Sequence, residues 1–215
     1  MLIGIISDIH GNEPALSATL DEMGDLDAFL FAGDLTGKAT ELAAVWRRLE
    51  KVPTTFIRGN HEDFALSYIN LFNHDDDLAK IARRITATPE RIDITIGGVA
   101  ILMAHGSPWN PKSEYIYPEY NNFSRFEGLG YDVVILGHTH VPMIKQIGKV
   151  TIINPGSVGE PLASDPRPSY ALLDTATKAA EIRYTQNYRE NKRLRFITPF
   201  RWKSYDIRWT RTASP

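Results

Sequence analysis

The chain has 215 residues, 43% of them hydrophobic and 23% charged, which suits one well-buried globular core. It contains no cysteine, so disulfides, a thiolate nucleophile and zinc–thiolate sites are excluded, and any metal must be held by His, Asp, Glu, Asn or backbone. The formal charge of −2 is unevenly spread, because residues 189–215 hold eight Lys or Arg against two acids and leave −8 on the rest.

No apolar run approaches the ~18 residues needed to cross a membrane. The N-terminal MLIGIISDIH has no basic region ahead of its apolar stretch, so a cytoplasmic protein without membrane contact is expected.

Short, nearly continuous apolar runs read as strands buried on both faces: LIGII (2–6), AFLFA (28–32) and TTFI (54–57) come first. Between them lie helical patterns. One starts near Asn12, with Pro14 in its first turn and Leu16, Leu20 and Met23 on one face; another starts at about residue 39 with Leu42, Trp46 and Leu49. This is a β-α-β-α-β opening.

Residues 63–84 follow as mainly helical with a polar interruption at NHDDD (73–77), where His74 and Asp75 to Asp77 form a solvated turn. Beyond them, IDITI and VAILMA (92–96 and 99–104) flank Gly97-Gly98 as a hairpin. DVVIL (132–136) is another strand. MIKQI-GK-VTII forms a second hairpin and SYALLD with AAEIRYT a third. The second half is therefore expected to be largely antiparallel, and the whole an α/β fold of two mixed sheets packed face to face with helices outside. Residues 1–188 form one domain with an aromatic-rich insertion at 107–131, and 189–215 form a basic, aromatic extension. That extension packs on the domain or on another copy as a homo-oligomer contact, with nucleic acid as the less favoured partner.

The chemistry gathers where strands end. Asp8, His10 and Asn12 follow the first run, Asp34 the second, and Arg58, Asn60, His61 and Glu62 the third; His105 follows VAILMA, and His138 and His140 follow DVVIL. Strand carboxyl ends form the ligand edge of α/β sheets, so these residues are expected to converge. Each alone has a bland reading as a helix cap, a turn or a local hydrogen bond. Together, imidazoles and carboxylates suit borderline divalent ions such as manganese, iron, zinc, cobalt or nickel, and the donors are too many for one tetrahedral ion. They suffice for two ions ~3.5–4 Å apart.

In order, D-x-H, G-D, G-N-H-E, H-G and G-H-T-H resemble the calcineurin-like metallophosphoesterase superfamily, and within it the small single-domain bacterial and archaeal phosphoesterases. The resemblance implies a four-layer α-β-β-α sandwich. It implies Asp8, His10 and His140 on one metal, Asn60, His105 and His138 on the other, and Asp34 bridging both. It places His61 at the scissile phosphate as a cation, without metal contact, and Asn12 and Glu62 in supporting positions. Many relatives carry an acid three residues after the bridging aspartate, where this chain has Gly37.

The implied activity is hydrolysis of phosphomonoesters or phosphodiesters by attack of a metal-bridging hydroxide. A non-catalytic interaction scaffold of the same fold and a nucleic-acid-processing phosphodiesterase are the alternatives. The substrate is expected to be small and phosphorylated, such as a nucleotide. Aromatic residues of the insertion, Trp109, Tyr115, Tyr117, Tyr120 and Phe123, are placed to stack a planar group or to cap the sheet edge.

Overall fold

The computed structural model describes residues 1–36, 39–72 and 76–188; Gly37, His74, Asp75 and the 189–215 extension lie outside the described residues. The opening follows the apolar pattern. Strand β1 (Leu2–Ile6), helix α1 (Glu13–Met23), β2 (Ala28–Phe31), α2 (Ala39–Leu49) and β3 (Thr54–Phe56) alternate, with β1, β2 and β3 parallel. Asn12 caps α1, its Oδ1 accepting the Ala15 N–H at 3.1 Å, and Pro14 occupies the first turn where no backbone donor is needed. Helices α3 (His61–Phe72) and α4 (Asp76–Ala87) follow, and Asp76 and Asp77, expected in a solvated turn, open α4 instead.

All three hairpins form. Strands β4 (Arg91–Ile96) and β5 (Val99–Ala104) pair across Gly97-Gly98, whose φ values of 57° and 80° are the left-handed conformation such a turn demands. Strand β6 is Val133–Ile135. Strands β7 (Met143–Ile147) and β8 (Val150–Asn154) make the second hairpin, and β9 (Ser169–Asp174) and β10 (Ala180–Tyr184) the third.

The sheets are β10-β9-β1-β2-β3 and β4-β5-β6-β8-β7. The expectation of a largely antiparallel second half is corrected at the centre of the second sheet, where β5, β6 and β8 run parallel. A hairpin leaves a local turn signal, whereas parallel neighbours are joined through distant chain and leave none. The third hairpin likewise crosses to the first sheet and pairs with β1.

Three apolar layers hold the fold. Ile3, Ile5 and Leu30 face Ile101, Val133, Ile135 and Ile153 between the two sheets. Phe31, Leu16, Leu42, Trp46 and Ile85 pack the four α-helices onto the first sheet. On the far face of the second sheet, Phe123 and Phe126 of the 3-10 helix Phe123–Leu129 cover Leu102, Val134 and Ile152. The fourth layer is thus the insertion, with one 3-10 helix. Each such side chain, fully buried, contributes about 1.5–3 kcal/mol relative to exposure. Among the described residues no helix is long and apolar enough to cross a membrane.

Candidate metal centre

Parallel strands from both sheets deliver the site at their carboxyl ends. Asp8 leaves β1, Asp34 leaves β2, His105 leaves β5, and His138 and His140 leave β6. Their side chains meet in three overlapping groups, Asp8 with His10 and His140, Asp34 with His105 and His138, and His10 with Asp34 and His61; within each group the candidate ligand atoms lie within 4.8 Å of one another. The His140 Nε2 is 3.2 Å from Asp8 Oδ1, and His105 Nε2 is 3.1 Å from Asp34 Oδ2. Asp34 Oδ2 is also 3.7 Å from His10 Nε2, so it faces the Asp8 group as well as His105 and His138.

The backbone is held in an uncommon state to achieve this. Asp8, His10, Asp34, His138 and His140 take φ values of 56°, 47°, 61°, 68° and 57°, five of the six positive values among described non-glycine residues. Each costs roughly 1–3 kcal/mol and persists only where the surroundings over-determine it. Close approach adds a second demand. A Cβ at Gly59 would collide with the Asp34 carboxylate, so the chain entering α3 can pass that group only as glycine.

The remaining donors and acceptors are fixed from behind. The Nδ1 atoms of His105 and His140 lie 2.7 Å from the Ala32 and Glu160 carbonyl oxygens, which turns each Nε2 toward the centre. Asp8 Oδ2 accepts the His138 N–H at 3.1 Å, and Asp34 Oδ1 accepts the His61 N–H at 2.9 Å. Buried Glu62 accepts the N–H groups of Asp34, Leu35 and Gly59, the last at 2.6 Å, and so fixes the loop that presents Asp34.

Four buried polar atoms make no well-aligned hydrogen bond: Asn60 Oδ1 and His138 Nε2, and also Asp8 Oδ1 and His105 Nε2, which face His140 and Asp34 only as ion pairs. A buried polar group without a good hydrogen bond costs about 1–3 kcal/mol, and such a set of nitrogen and oxygen donors fits divalent cations. The electrostatics agree. Burial would raise Asp8 and Asp34, yet the surrounding imidazoles, His105 foremost, hold both below the usual carboxylate range. Burial works against a charged His105, but Asp34 and Asp8 override it and lift its pKa to about 10. Burial, helped by His105, drives His138 down to about 4, and burial with Asp34 raises Glu62 to about 7.

His61 stands at the half-open side, its ring centroid 4.6 Å from that of His10 and its Nε2 4.0 Å from Asp34 Oδ2. Burial lowers its pKa and outweighs the opposing pull of Asp34. The expectation of a cationic His61 concerns the site with a phosphate bound; in the free chain burial works against that charge.

The Asn12 side chain is engaged with the frame of the site: its Nδ2 donates to Gly159 O at 3.4 Å and to Tyr188 Oη at 3.1 Å, tying α1 to the loop after β8 and to the chain after β10. Arg58 and Trp109 are engaged elsewhere. Arg58 NH2 bonds Glu90 at 2.8 Å, and Trp109 packs on Phe126 beneath the Arg125 guanidinium. Tyr115 is the insertion residue that reaches the centre, stacked on His138 at 3.8 Å.

Residues 154–160 shape both ligand loops. Asn154 Nδ2 donates to Gly137 O at 2.7 Å and to Thr139 Oγ1 at 3.0 Å, and the Ser157 hydroxyl donates to Asp8 O at 2.8 Å. A buried polar run leaving a buried strand was the available signal.

Comparison with known proteins identifies the family. Residues 1–178 match the calcineurin-like phosphoesterase superfamily domain. A probable metallophosphoesterase of Methanocaldococcus jannaschii is 30% identical, over 73% of this chain and 68% of its own. The phosphodiesterase YfcE of Escherichia coli is 27% identical over 81% and 88%. The crystal structure of a metallophosphoesterase from Sphaerobacter thermophilus superposes with a TM-score of 0.71 at 26% identity, covering 88% of this chain and 89% of that one.

Proposed function

Because this chain belongs to the calcineurin-like phosphoesterase superfamily, we propose that it hydrolyses phosphate esters of a small cytoplasmic substrate with two divalent transition-metal ions. Manganese, iron, zinc, cobalt and nickel all suit the donor set. Asp8, His10 and His140 hold one ion, Asn60, His105 and His138 the other, and Asp34 serves both. The observation that carries this reading is the meeting of Asp8 with His10 and His140, and of Asp34 with His105 and His138, from separate strand exits. Bound there, the ions supply Lewis-acid charge at the phosphoryl oxygens and lower the pKa of a water molecule from ~16 toward ~7.

The protein's own part is positioning and proton handling. The Ala32 and Glu160 carbonyls fix the His105 and His140 tautomers, and Glu62 clamps the Asp34 loop. His61 reaches the phosphoryl group from the open side, where its Nε2–H donates to a phosphoryl oxygen or passes a proton to the departing alkoxide. Its proton affinity, lowered by burial in the free chain, rises as the anionic substrate arrives. No side chain is required as a nucleophile.

The test is metal-reconstituted protein assayed on paired chromogenic phosphomonoester and phosphodiester substrates. Metal-dependent turnover of either supports the reading; inactivity on both, with two ions bound per chain, overturns it.

A further inference from the structure

The histidines that leave β5 and β6 are not held alike. His105 and His140 are each turned by a backbone carbonyl, of Ala32 and Glu160, 2.7 Å from Nδ1. His138 has no such partner. Its backbone N–H is bonded to Asp8 Oδ2, but among the described residues no hydrogen bond reaches its imidazole. What touches that ring is aromatic: Tyr115 stacks on it with centroids 3.8 Å and planes 25° apart, and His105 meets it at 5.1 Å and 62°.

Tyr115 is 50% exposed, so burial alone does not hold it. Its chain neighbours do. The Glu114 carboxylate accepts from the Ser107 hydroxyl, from Tyr120 Oη at 3.2 Å and from Arg125 at 2.8 Å. On the other side, Ile116 is buried with Phe123, Phe126 and Val134 on the far face of the second sheet. Backbone fixed both before and after Tyr115 leaves its ring few positions, and Tyr117, parallel to it at 5.8 Å and 6°, narrows them further. Ser107 follows closely on His105, so the segment that carries Tyr115 starts at one candidate ligand and closes on another.

Resting on the reading of His138 as a metal ligand, we infer that Tyr115 is the positioning residue of His138. Stacking does for this imidazole what the Ala32 and Glu160 carbonyls do for His105 and His140. A carbonyl behind a ligand fixes both its tautomer and its ring plane. A stacked ring fixes the plane and leaves the tautomer free. The contacts of Tyr115 are made by its ring, so phenylalanine serves as well in its place.

Cobalt titration of the full chain tests this, followed by calorimetry and by visible absorption, which reports how the ion is coordinated. Tyr115→Ala should weaken one of two sites about tenfold, the lower end of the loss that follows removal of a group behind a metal ligand, and change the absorption of that ion. The other site should stay close to native affinity, and Tyr115→Phe should restore both. Native affinity at both sites in Tyr115→Ala, an equal loss at both, as from general damage to packing, or no recovery in Tyr115→Phe overturns the inference. Proton NMR of the metal-free chain reads the contact without an ion. There the His138 ring protons, shielded by the stacked tyrosine, should move downfield in Tyr115→Ala and stay in place in Tyr115→Phe; unmoved protons in Tyr115→Ala overturn the inference. Those shifts in a chain that binds no cobalt support the positioning role and remove the metal reading; two bound ions without the shifts do the reverse.

Discussion

Asp34 Oδ2 lies 3.1 Å from His105 Nε2, although Asp34 hangs from the first sheet and His105 from the second. The same oxygen is 3.7 Å from His10 Nε2, while Oδ1 is occupied by the His61 N–H. One carboxylate oxygen therefore serves both donor groups. Losing a supporting partner behind a ligand already costs roughly 10–100-fold in metal affinity, and Asp34→Asn should cost more, at both sites together. Calorimetric metal titration checks this; one ion retained at native affinity would contradict the shared role.

His61 is half-exposed and lies beside both donor groups. His61→Ala should lower kcat about 10²–10⁴-fold on esters with poor leaving groups, less on p-nitrophenyl esters, and leave two ions bound. Paired kinetics and elemental analysis read this, and equal losses on both ester types would remove the proton-transfer role.

Metal loading should release protons. In the metal-free chain Asp34 and Asp8 hold His105 up at about 10, so at pH 7 its imidazole is charged and must lose a proton before Nε2 can bind an ion. Apparent affinity should rise with pH from neutrality toward about 10. Calorimetry at pH 7 in buffers of different ionisation enthalpy should give at least one proton released per chain loaded; buffer-independent heats would contradict it.

Asn154 is fully buried and bonds both Gly137 and Thr139, the residues that flank His138. Asn154→Ala removes both bonds and takes the Asn154 Oδ1 acceptor from the buried Gly156 N–H, which should destabilise the fold by about 1–3 kcal/mol, with weaker metal binding at the His138 site. Denaturant unfolding of the metal-free protein separates the two effects; unchanged stability would mean water replaces the amide without loss.

The strands, the first helices and the three hairpins were legible because each leaves a local mark. LIGII and AFLFA are continuous apolar runs, Leu16, Leu20 and Met23 share one helical face, and Gly97-Gly98 sits between alternating strands. The donors were legible because imidazoles and carboxylates recur after strands, beside glycines. What stayed hidden is non-local. The parallel pairing of β5, β6 and β8 depends on chain returning from afar. Aromatic composition could not tell Trp109, which packs on Phe126, from Tyr115, which stacks on His138. The charge of His61 depends on how deeply it is buried, and the left-handed φ of five ligand-loop residues reflects tertiary constraint on ordinary Asp and His.

His138 and His140 are separated only by Thr139, yet the first groups with Asp34 and His105 and the second with Asp8 and His10. The most direct test of two ions in two sites is elemental analysis of the unmodified protein, the His138→Ala and His140→Ala variants, and the double variant after metal loading and desalting. The account predicts two ions in the unmodified chain, one in each single variant and none in the double. One ion in the unmodified chain, or one retained in the double variant, would contradict it.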